Sequence, residues 1–342
     1  MLRRPPAARR RGAGLTLVCV TALAACSSGS SAADPRDGVP QAAAAAPVAT
    51  ASPTGPTQTF PLTGLPAPSA ATAATPVVAV AVDAGSGLPG PVGTDKADVV
   101  YVGFPSGGRQ RGLALYQSAD SARVGPVGDT RPVDSKLLVA IDAVLEHSGG
   151  AAGYVKQVDA ADLPEWSSLV HPETFTRDAA SGLVYGSSAA ARAATGAVPA
   201  RTGLLLFADT PAAAAPTPPA PVTVAVSGQP GIRLDFDVAS GTWRGAVGSF
   251  RLAATNVVVQ QVPYDALVVP HTGGRTEGSP NLEGQGKAAI LSGPRVDAEG
   301  SWNRPGRSTS TKFIGGDGTP IRLSPGITWV LLVPAGSSIG TS

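Results

Sequence analysis

Six consecutive apolar residues occupy positions 77–82, in the order Val-Val-Ala-Val-Ala-Val. Neighbouring residues of a strand point to opposite faces, so a run without polar residues predicts a strand that is buried on both faces of a sheet. Further apolar runs at 99–102, 113–116 and 204–207 predict three more strands. The chain around residue 80 therefore indicates a multi-stranded sheet at the centre of a core.

Helical patterns alternate with these strands. Asp134 or Ser135 can cap a helix with apolar residues at 137, 138, 141, 144 and 145, and the glycines at 149 and 150 are suited to end it. An alanine-rich stretch at 187–195 starts with serine and is followed by Gly196, which predicts a second helix. These elements predict a mixed α/β N-terminal module over residues 60–208.

The pattern changes after residue 208. Residues 209–221 are rich in proline, which cannot donate a backbone hydrogen bond to a sheet, so this stretch predicts an interdomain linker. Beyond it, strands separated by Gly and Pro turns are predicted at 222–226, 232–236, 256–262, 288–291, 295–302 and 328–333. The expected fold class is α+β, with a mainly β C-terminal module at 222–334 and a tail at 335–342.

Composition narrows the classes of function. The 342 residues are 43% hydrophobic, enough for a real core, and include 42 Gly and 33 Pro. The formal charge is +2, but the first 25 residues hold five arginines and no acid, which leaves 21 basic and 24 acidic residues in the rest. A slightly acidic mature chain is not expected to bind nucleic acid.

The first 26 residues have the pattern of an export signal. Arginines at 3, 4 and 9–11 precede a short apolar stretch at 12–22, too short to span a bilayer, and Leu23-Ala24-Ala25-Cys26 follows. This order resembles the lipobox of bacterial lipoproteins, whose cysteine becomes the acylated N-terminus. We expect a signal peptide at 1–25 and lipid attachment at Cys26, with Sec and twin-arginine export both open. The alternative is an ordinary secretory signal with a chance cysteine.

Residues 26–59 consist mainly of Ala, Pro, Ser, Thr and Gly. This composition predicts a disordered stalk with a root-mean-square span of about 30 Å. Together with the acylated cysteine, it predicts a protein held by its N-terminal lipid on the outer face of the cytoplasmic membrane. The chain has two cysteines, Cys19 and Cys26, so we expect no disulfide in the folded part.

Short motifs occur in a recognisable order over residues 60–334. In the first half they are Pro61-Leu62-Thr63-Gly64-Leu65, Asp95-Lys96-Ala97-Asp98-Val99-Val100-Tyr101, Gly107-Gly108, Leu113-Ala114-Leu115-Tyr116 and Arg123-Val124-Gly125-Pro126-Val127. In the second half they are Asn256-Val257-Val258-Val259-Gln260, residues 284–287, Gly300-Ser301-Trp302 and Leu323-Ser324-Pro325-Gly326-Ile327-Thr328-Trp329. Together they resemble the YerB-like lipoproteins, a family of unknown function with an N-terminal and a C-terminal module.

The resemblance implies a three-layer arrangement of sheets and helices and a membrane lipoprotein without an established activity. Similar sequences carry glutamates where this chain has Val102 and Ser106, and Pro-His-Asn where it has Ala-Ser-Gly at 180–182. A polar site built from those family residues is therefore not expected in this chain.

A group of cationic residues gives the best candidate for a ligand site: Arg109, Arg111, Arg123 and Arg131. Guanidinium groups match carboxylate and phosphate oxygens, so the group predicts an anion-binding pocket that would also include Asp134 and His147. The alternative is structural pairing of the arginines with Asp120, Asp129 and Asp134. His147 can likewise be a base beside Glu146 or a residue that caps a helix.

The sequence supports three hypotheses of function. The first is a binding module of the cell envelope that holds a protein or a peptidoglycan-related anionic component in the groove between its modules. The second is a hydrolase or lyase of wall polymer that uses carboxylates and His147. The third is a solute-capture lipoprotein with residues 209–221 as its hinge. No metal site, cofactor or nucleophile motif is predicted, because the histidines at 147, 171 and 271 are far apart and no nucleophile elbow occurs.

Overall fold

The computed structural model describes residues 58–85, 87–105, 109–195, 204–213, 217–268 and 274–341. The predicted signal peptide, Cys26 and all of the predicted stalk before residue 58 lie outside these ranges. Residues Gly55–Ser342 form one compact unit.

Four α-helices occur in the described part. They are α1 (Ala70–Ala73), α2 (Pro132–Leu138), α3 (Ala152–Asp159) and α4 (Ser188–Thr195). Helix α2 begins with proline, which has no N–H to leave unsatisfied, and the Asp134 carboxylate accepts the backbone N–H of Arg131 at 2.8 Å. The sequence therefore fixes the first turn of α2 through local contacts.

Strands make up most of the regular structure. Those before the proline-rich stretch are β1 (Val78–Ala84), β2 (Val99–Gly103), β3 (Gln110–Tyr116), β4 (Val144–His147), β5 (Glu165–Ser167), β6 (Thr176–Arg177) and β7 (Val184–Tyr185). Those after it are β8 (Val222–Ala225), β9 (Ile232–Asp237), β10 (Thr242–Val247), β11 (Phe250–Ala254), β12 (Asn256–Val262), β13 (Tyr264–Val268), β14 (Thr276–Pro280), β15 (Gly284–Ser292), β16 (Arg295–Asp297), β17 (Ser301–Arg304), β18 (Lys312–Ile314), β19 (Thr328–Pro334) and β20 (Ser338–Thr341).

One mixed sheet of 11 strands forms the centre of the fold. Its order is β18-β17-β15-β12-β19-β2-β3-β1-β4-β5, with β16 paired to β15. Strand β19 lies between β12, which comes from the second half of the sequence, and β2, which comes from the first half. It runs parallel to both. Its residue Thr328 is paired with Asn256 of β12 on one side and with Val99 of β2 on the other.

The central sheet is covered on both faces. In β1, Val78, Val80 and Val82 face a core that is shared with the five-stranded sheet β11-β10-β9-β8-β20. The alternate residues of β1 face a second core that includes residues of α2 and α3. These layers confirm the predicted α+β class and three-layer arrangement, and they explain why the run at 77–82 is apolar throughout.

The two predicted modules do not pack separately. Strands β1 to β5 come from the first module and β12, β15 and β19 from the second, yet all belong to the same sheet. Residues 209–221 therefore connect two parts of the sequence without separating two packing units. The physical reason is that β19 is apolar along its length and needs a paired strand on each edge as well as cover on each face.

Three elements differ from the sequence prediction, and one of them is the strand predicted at 295–302, which is divided into β16 and β17. The helix expected to reach residue 145 ends at Leu138, and residues 144–147 form β4, which pairs in parallel with β1. Asp142 adopts a left-handed conformation between them, with φ of 55°. Residues 204–207 form no strand; Phe207 makes a single bridge to Leu323 and Leu206 remains 40% exposed. At residues 144–145, helical spacing of the apolar residues did not distinguish a helix from a strand. At residues 204–207, a short apolar run was not sufficient evidence of a strand.

A buried hydrogen-bond network explains two of the family motifs. The Asn256 side-chain amide donates to the Ser324 carbonyl at 2.9 Å and to Thr328 Oγ1 at 3.2 Å. Ser292 Oγ donates to Asn256 Oδ1 at 2.7 Å and accepts the Ser324 N–H at 2.7 Å. Because every group here is paired, the network fixes β12, β15 and the segment before β19 in register.

Glu146 is buried in β4, and no cation of the described residues lies beside its carboxyl group to balance a negative charge. Its two carboxylate oxygens have no hydrogen bond of good geometry, and an added Cβ at Gly186 would lie 2.9 Å from its Oε2. Burial raises the pKa of Glu146 from 4.5 to about 8, and the Ser187 backbone N–H opposes this shift without reversing it. The carboxyl group is therefore mostly protonated at neutral pH.

We expect Asn256→Ala to lower the free energy of unfolding by about 1–3 kcal/mol, because it leaves Ser292 and the Ser324 carbonyl without their buried partners. Urea denaturation monitored by tryptophan fluorescence measures the change. Asn303→Ala is the matched control, since no side-chain hydrogen bond of Asn303 occurs within the described ranges. Equal stability of the two variants would contradict a structural role for the network.

We expect stability to fall as the pH rises from 5 to 8, because the folded state holds the Glu146 proton that the unfolded state releases above about 4.5. The full stabilisation is present below the unfolded pKa and is lost as the pH rises through the folded pKa. The loss is a few kcal/mol, at roughly 1.4 kcal/mol per pKa unit.

Glu146→Gln should flatten this pH profile, whereas Glu299→Gln, at an exposed position without an ion pair among the described residues, should leave the wild-type profile unchanged. Urea titrations at several pH values provide the comparison. A profile for Glu146→Gln with the wild-type slope would rule out Glu146 as the titrating group.

Candidate functional site

A cleft with about 750 Å³ of space between its walls, part of it open to solvent, lies at the ends of the central strands β2 and β3. Its walls come from the end of β2, the start of β3, helix α2 and the hairpin β13–β14. Tyr101, Val133, Leu137 and Leu332 supply apolar wall, while arginine and carboxylate side chains supply polar wall. Both halves of the sequence therefore build this site.

The hairpin β13–β14 is held against the N-terminal half by three contacts. The Nε atom of Arg131 lies 2.9 Å from Glu277 Oε1. The Tyr154 hydroxyl donates to the Val268 carbonyl at 3.4 Å, and the Tyr264 hydroxyl accepts the Phe104 N–H at 3.0 Å. These contacts join α2 and α3 to the hairpin and fix one wall of the cleft.

Arg111 and Asp134 form a two-pronged ion pair at the base of the cleft. Arg111 Nη1 and Nη2 lie 2.6 and 2.7 Å from the two Asp134 oxygens. Asp134 also accepts Thr130 Oγ1 at 3.2 Å. Burial by itself lowers the pKa of Arg111, but the charge and hydrogen bonds of Asp134 outweigh it and the pKa is raised. Both carboxylate oxygens of Asp134 and both terminal nitrogens of Arg111 are thus paired, whereas Arg111 Nε has no hydrogen-bond partner.

Two other arginines line the cleft without an acidic partner in the described part of the chain. Arg109 follows β2 and Arg275 precedes β14, and both side chains are exposed. Arg131, in contrast, is engaged by Glu277 and lies 3.8 Å from Asp129. The cations available to a ligand are therefore Arg109 and Arg275.

Of the six residues predicted for this site, the cleft brings together Arg109, Arg111, Arg131 and Asp134. Arg123 lies outside its lining; its guanidinium stacks 3.5 Å from the ring centre of Tyr185, with Asp178 at 4.0 Å. Structural pairing with the predicted aspartates is thus seen for Arg111 with Asp134 and for Arg131 with Asp129, whereas the acidic neighbour of Arg123 is Asp178, which was not predicted. Asp120 pairs with a different residue, Arg192, at 2.9 Å.

His147 also lies outside the lining of the cleft. It ends β4 rather than a helix, is fully buried, and has Nε2 at 3.1 Å from Glu165 Oε1. Its Nδ1 contacts the backbone of Gly149 at 2.8 Å. The prediction that His147 shares a pocket with the arginines is therefore wrong, because residues 144–147 are a strand that directs it into the packed interior.

The residues that the hairpin contributes were not predicted from the sequence. Arg275, Glu277 and Ser279 lie more than 140 positions from the predicted arginine group, and they flank a Gly-Gly pair that indicates only a turn. Asp83, at the end of β1, was missed although it follows the apolar run directly. Polar residues just after a buried strand were the available signal for Asp83.

Val102 stands where similar sequences carry a glutamate, and its side chain is fully buried in the core of the central sheet. Ser106 lies outside the described residues. Within the described ranges, no group of three His, Cys, Asp or Glu side chains is arranged to hold a metal ion. No helix in those ranges combines the length and hydropathy needed to cross a bilayer.

Comparisons with known proteins agree with the fold. Residues 62–195 match the family described as Protein of unknown function (DUF3048) N-terminal domain, and residues 242–330 match its C-terminal domain. The crystal structure of YerB protein from Bacillus subtilis is similar, with a TM-score of 0.66 and 22% sequence identity. The match covers 83% of this chain and 99% of that chain, and at this identity it shows the fold alone. No curated protein matches the chain.

The matched segments together span more than half of the chain and keep the order of the motifs in the sequence. They confirm the resemblance that those motifs indicated. The chain therefore belongs to the DUF3048 family, the YerB-like proteins of unknown function with an N-terminal and a C-terminal domain.

Proposed function

We propose that this protein is a membrane-tethered module outside the cytoplasm that binds an anionic ligand in the cleft between α2 and the hairpin β13–β14. One observation carries the proposal: Arg109 and Arg275 border the cleft and have no acidic partner among the described residues. A ligand bearing carboxylate or phosphate groups would supply that partner.

The charges of the cleft fit such a ligand. Four arginines and three carboxylates line it, and the carboxylates of Asp134 and Glu277 are already engaged by Arg111 and Arg131. The third carboxylate, Asp83, acts on Arg111 electrostatically. The excess charge is thus positive and lies at the two unpaired arginines.

The sequence supports the tethered location. The Leu-Ala-Ala-Cys order at 23–26 follows a basic segment and a short apolar stretch, and residues 26–59 have the composition of a flexible stalk. A lipid-modified Cys26 with a stalk of this kind would carry the folded part at the membrane surface. Envelope polymers and lipid headgroups, which carry carboxylates and phosphates, are the anions available there.

The two other hypotheses gain less support. A wall-polymer hydrolase with His147 as its base requires that residue to reach substrate, and His147 is buried against Glu165 away from the cleft. A solute-capture protein with a hinge at 209–221 requires two bodies that open, and β19 is paired to strands from both halves. A binding module with a rigid cleft is the function that the geometry supports best.

We expect the full chain carrying Cys26→Ser to bind citrate and inorganic phosphate, and the double variant Arg109→Ala/Arg275→Ala to bind them at least tenfold more weakly. The loss reflects removal of charge-assisted hydrogen bonds, each of about 1.5–3 kcal/mol. Isothermal titration calorimetry at low ionic strength measures the dissociation constants.

Arg251→Ala is the matched control, because Arg251 is an exposed arginine of β11 away from the cleft lining. It should bind both probes like the parent chain. Undiminished binding by the double variant, or no binding by the parent, would remove the basis for an anion site in this cleft.

We expect Cys26→Ser to move the protein from the membrane fraction to the soluble fraction, because the substitution removes the sulfur that carries the lipid. Intact-mass spectrometry of the native protein should show a diacylglyceryl group on Cys26. Cys19→Ser is the matched control and should leave both the mass increment and the membrane fraction unchanged. An unmodified Cys26 thiol in the native protein would overturn the tethered location.

A further inference from the structure

A second pocket lies behind the cleft, on the other side of Tyr101 and Leu137, which line both spaces. It is a narrow cavity of about 20 Å³ between α2, β2, β12 and β17, large enough for a small polar group but not for a hydrocarbon chain. Its wall is mostly apolar, with aliphatic and aromatic contributions from Val99, Leu115, Leu137, Ile141, Leu204 and Phe313. Near the segment 309–311 it adjoins a wider pocket of about 330 Å³, whose apolar lining includes Leu204, Phe313, Ile321 and Leu323.

A buried arginine lines this apolar pocket. Arg304 is 2% exposed, and its Nη2 donates to the backbone carbonyls of Lys136 and Arg307. Its Nε has no hydrogen-bond partner, and no carboxylate pairs with it among the described residues. Burial lowers the pKa of Arg304, yet a guanidinium stays charged at any physiological pH. An unpaired buried charge is costly, so an anion that joined it would be strongly favoured.

A second unsatisfied donor lines the same pocket. Gln260 is 2% exposed and its side-chain Nε2 has no partner. Tyr101 cannot neutralise Arg304, since burial raises the pKa of its hydroxyl and keeps it uncharged. Lys136 and Arg307, whose carbonyls Arg304 contacts, also lack ion pairs within the described ranges. Among the described residues, Glu283 acts on Arg304 electrostatically but forms no ion pair with it, and no carboxylate lines the pocket, so the charge at the pocket is positive.

We propose that this pocket is a second binding site, which takes an aliphatic carboxylate. The carboxylate accepts hydrogen bonds from Arg304 and Gln260, and the hydrocarbon chain passes residues 309–311 into the wider pocket lined by Leu204, Phe313 and Ile321. The apolar wall rejects polyanions such as citrate, while the buried cation rejects neutral hydrocarbons. This site does not depend on the anion site of the cleft.

The test uses the full chain with Cys26→Ser, so that no attached lipid competes for the pocket. Calorimetry with decanoate below its micellar concentration should show saturable binding, whereas decanol, which lacks the charge, and acetate, which lacks the chain, should bind at least tenfold more weakly. Arg304→Met, which replaces the charge by an unbranched apolar side chain, should weaken decanoate binding at least tenfold. Gln260→Leu should weaken it by a smaller factor.

Two controls make the result decisive. Arg109→Ala/Arg275→Ala should bind decanoate like the parent, which separates this pocket from the cleft. If Arg304→Met does not fold, as judged by circular dichroism, Leu204→Trp fills the pocket and should abolish decanoate binding instead. The proposal is overturned if the parent shows no saturable binding, if decanol binds as well as decanoate, or if decanoate binding depends on Arg109 and Arg275 rather than on Arg304.

Discussion

The pairing of β19 with β12 on one edge and β2 on the other is the interaction on which the rest of the structure depends. This strand comes from the last part of the chain, but it completes a sheet that begins near residue 78. Trp329 packs edge-on against Phe250 of the five-stranded sheet, with ring centres 6.0 Å apart. Strand β19 thereby joins the strands of the central sheet and also contacts the neighbouring five-stranded sheet through Trp329.

The position of the cleft follows from this pairing. Once β12 is fixed beside β19, the chain leaves the sheet after Val262 and returns as the hairpin β13–β14 over α2. The ion pair between Arg131 and Glu277 and the hydrogen bonds of Tyr154 and Tyr264 then hold the hairpin in place. Arg275 reaches the cleft only because segments distant in sequence meet at the ends of the central strands β2 and β3.

Buried charges are accommodated in three different ways. Arg111 is neutralised by Asp134, whose oxygens receive several hydrogen bonds. Glu146 has no cation beside it and remains protonated, as the pKa raised to about 8 by burial indicates. Arg304 can neither lose its proton nor find a carboxylate, so its charge stays unbalanced inside an apolar pocket. The first two arrangements are stable without a ligand, whereas the third is the one that an added anion would complete.

The sequence by itself determined the family and the most apolar strands of the central sheet. The continuity and length of the apolar runs predicted β1, β2, β12 and β19, because a strand that is buried on both faces needs apolar residues on both. It also placed four residues of the cleft within one short stretch. Tertiary structure alone decided that residues 144–145 belong to a strand, that His147 turns inward and that Arg275 and Glu277 join Arg109. The periodicity of apolar residues predicts which face of a helix or strand is buried. The partners of a strand and the two walls of a cleft depend instead on contacts between segments that are distant in sequence.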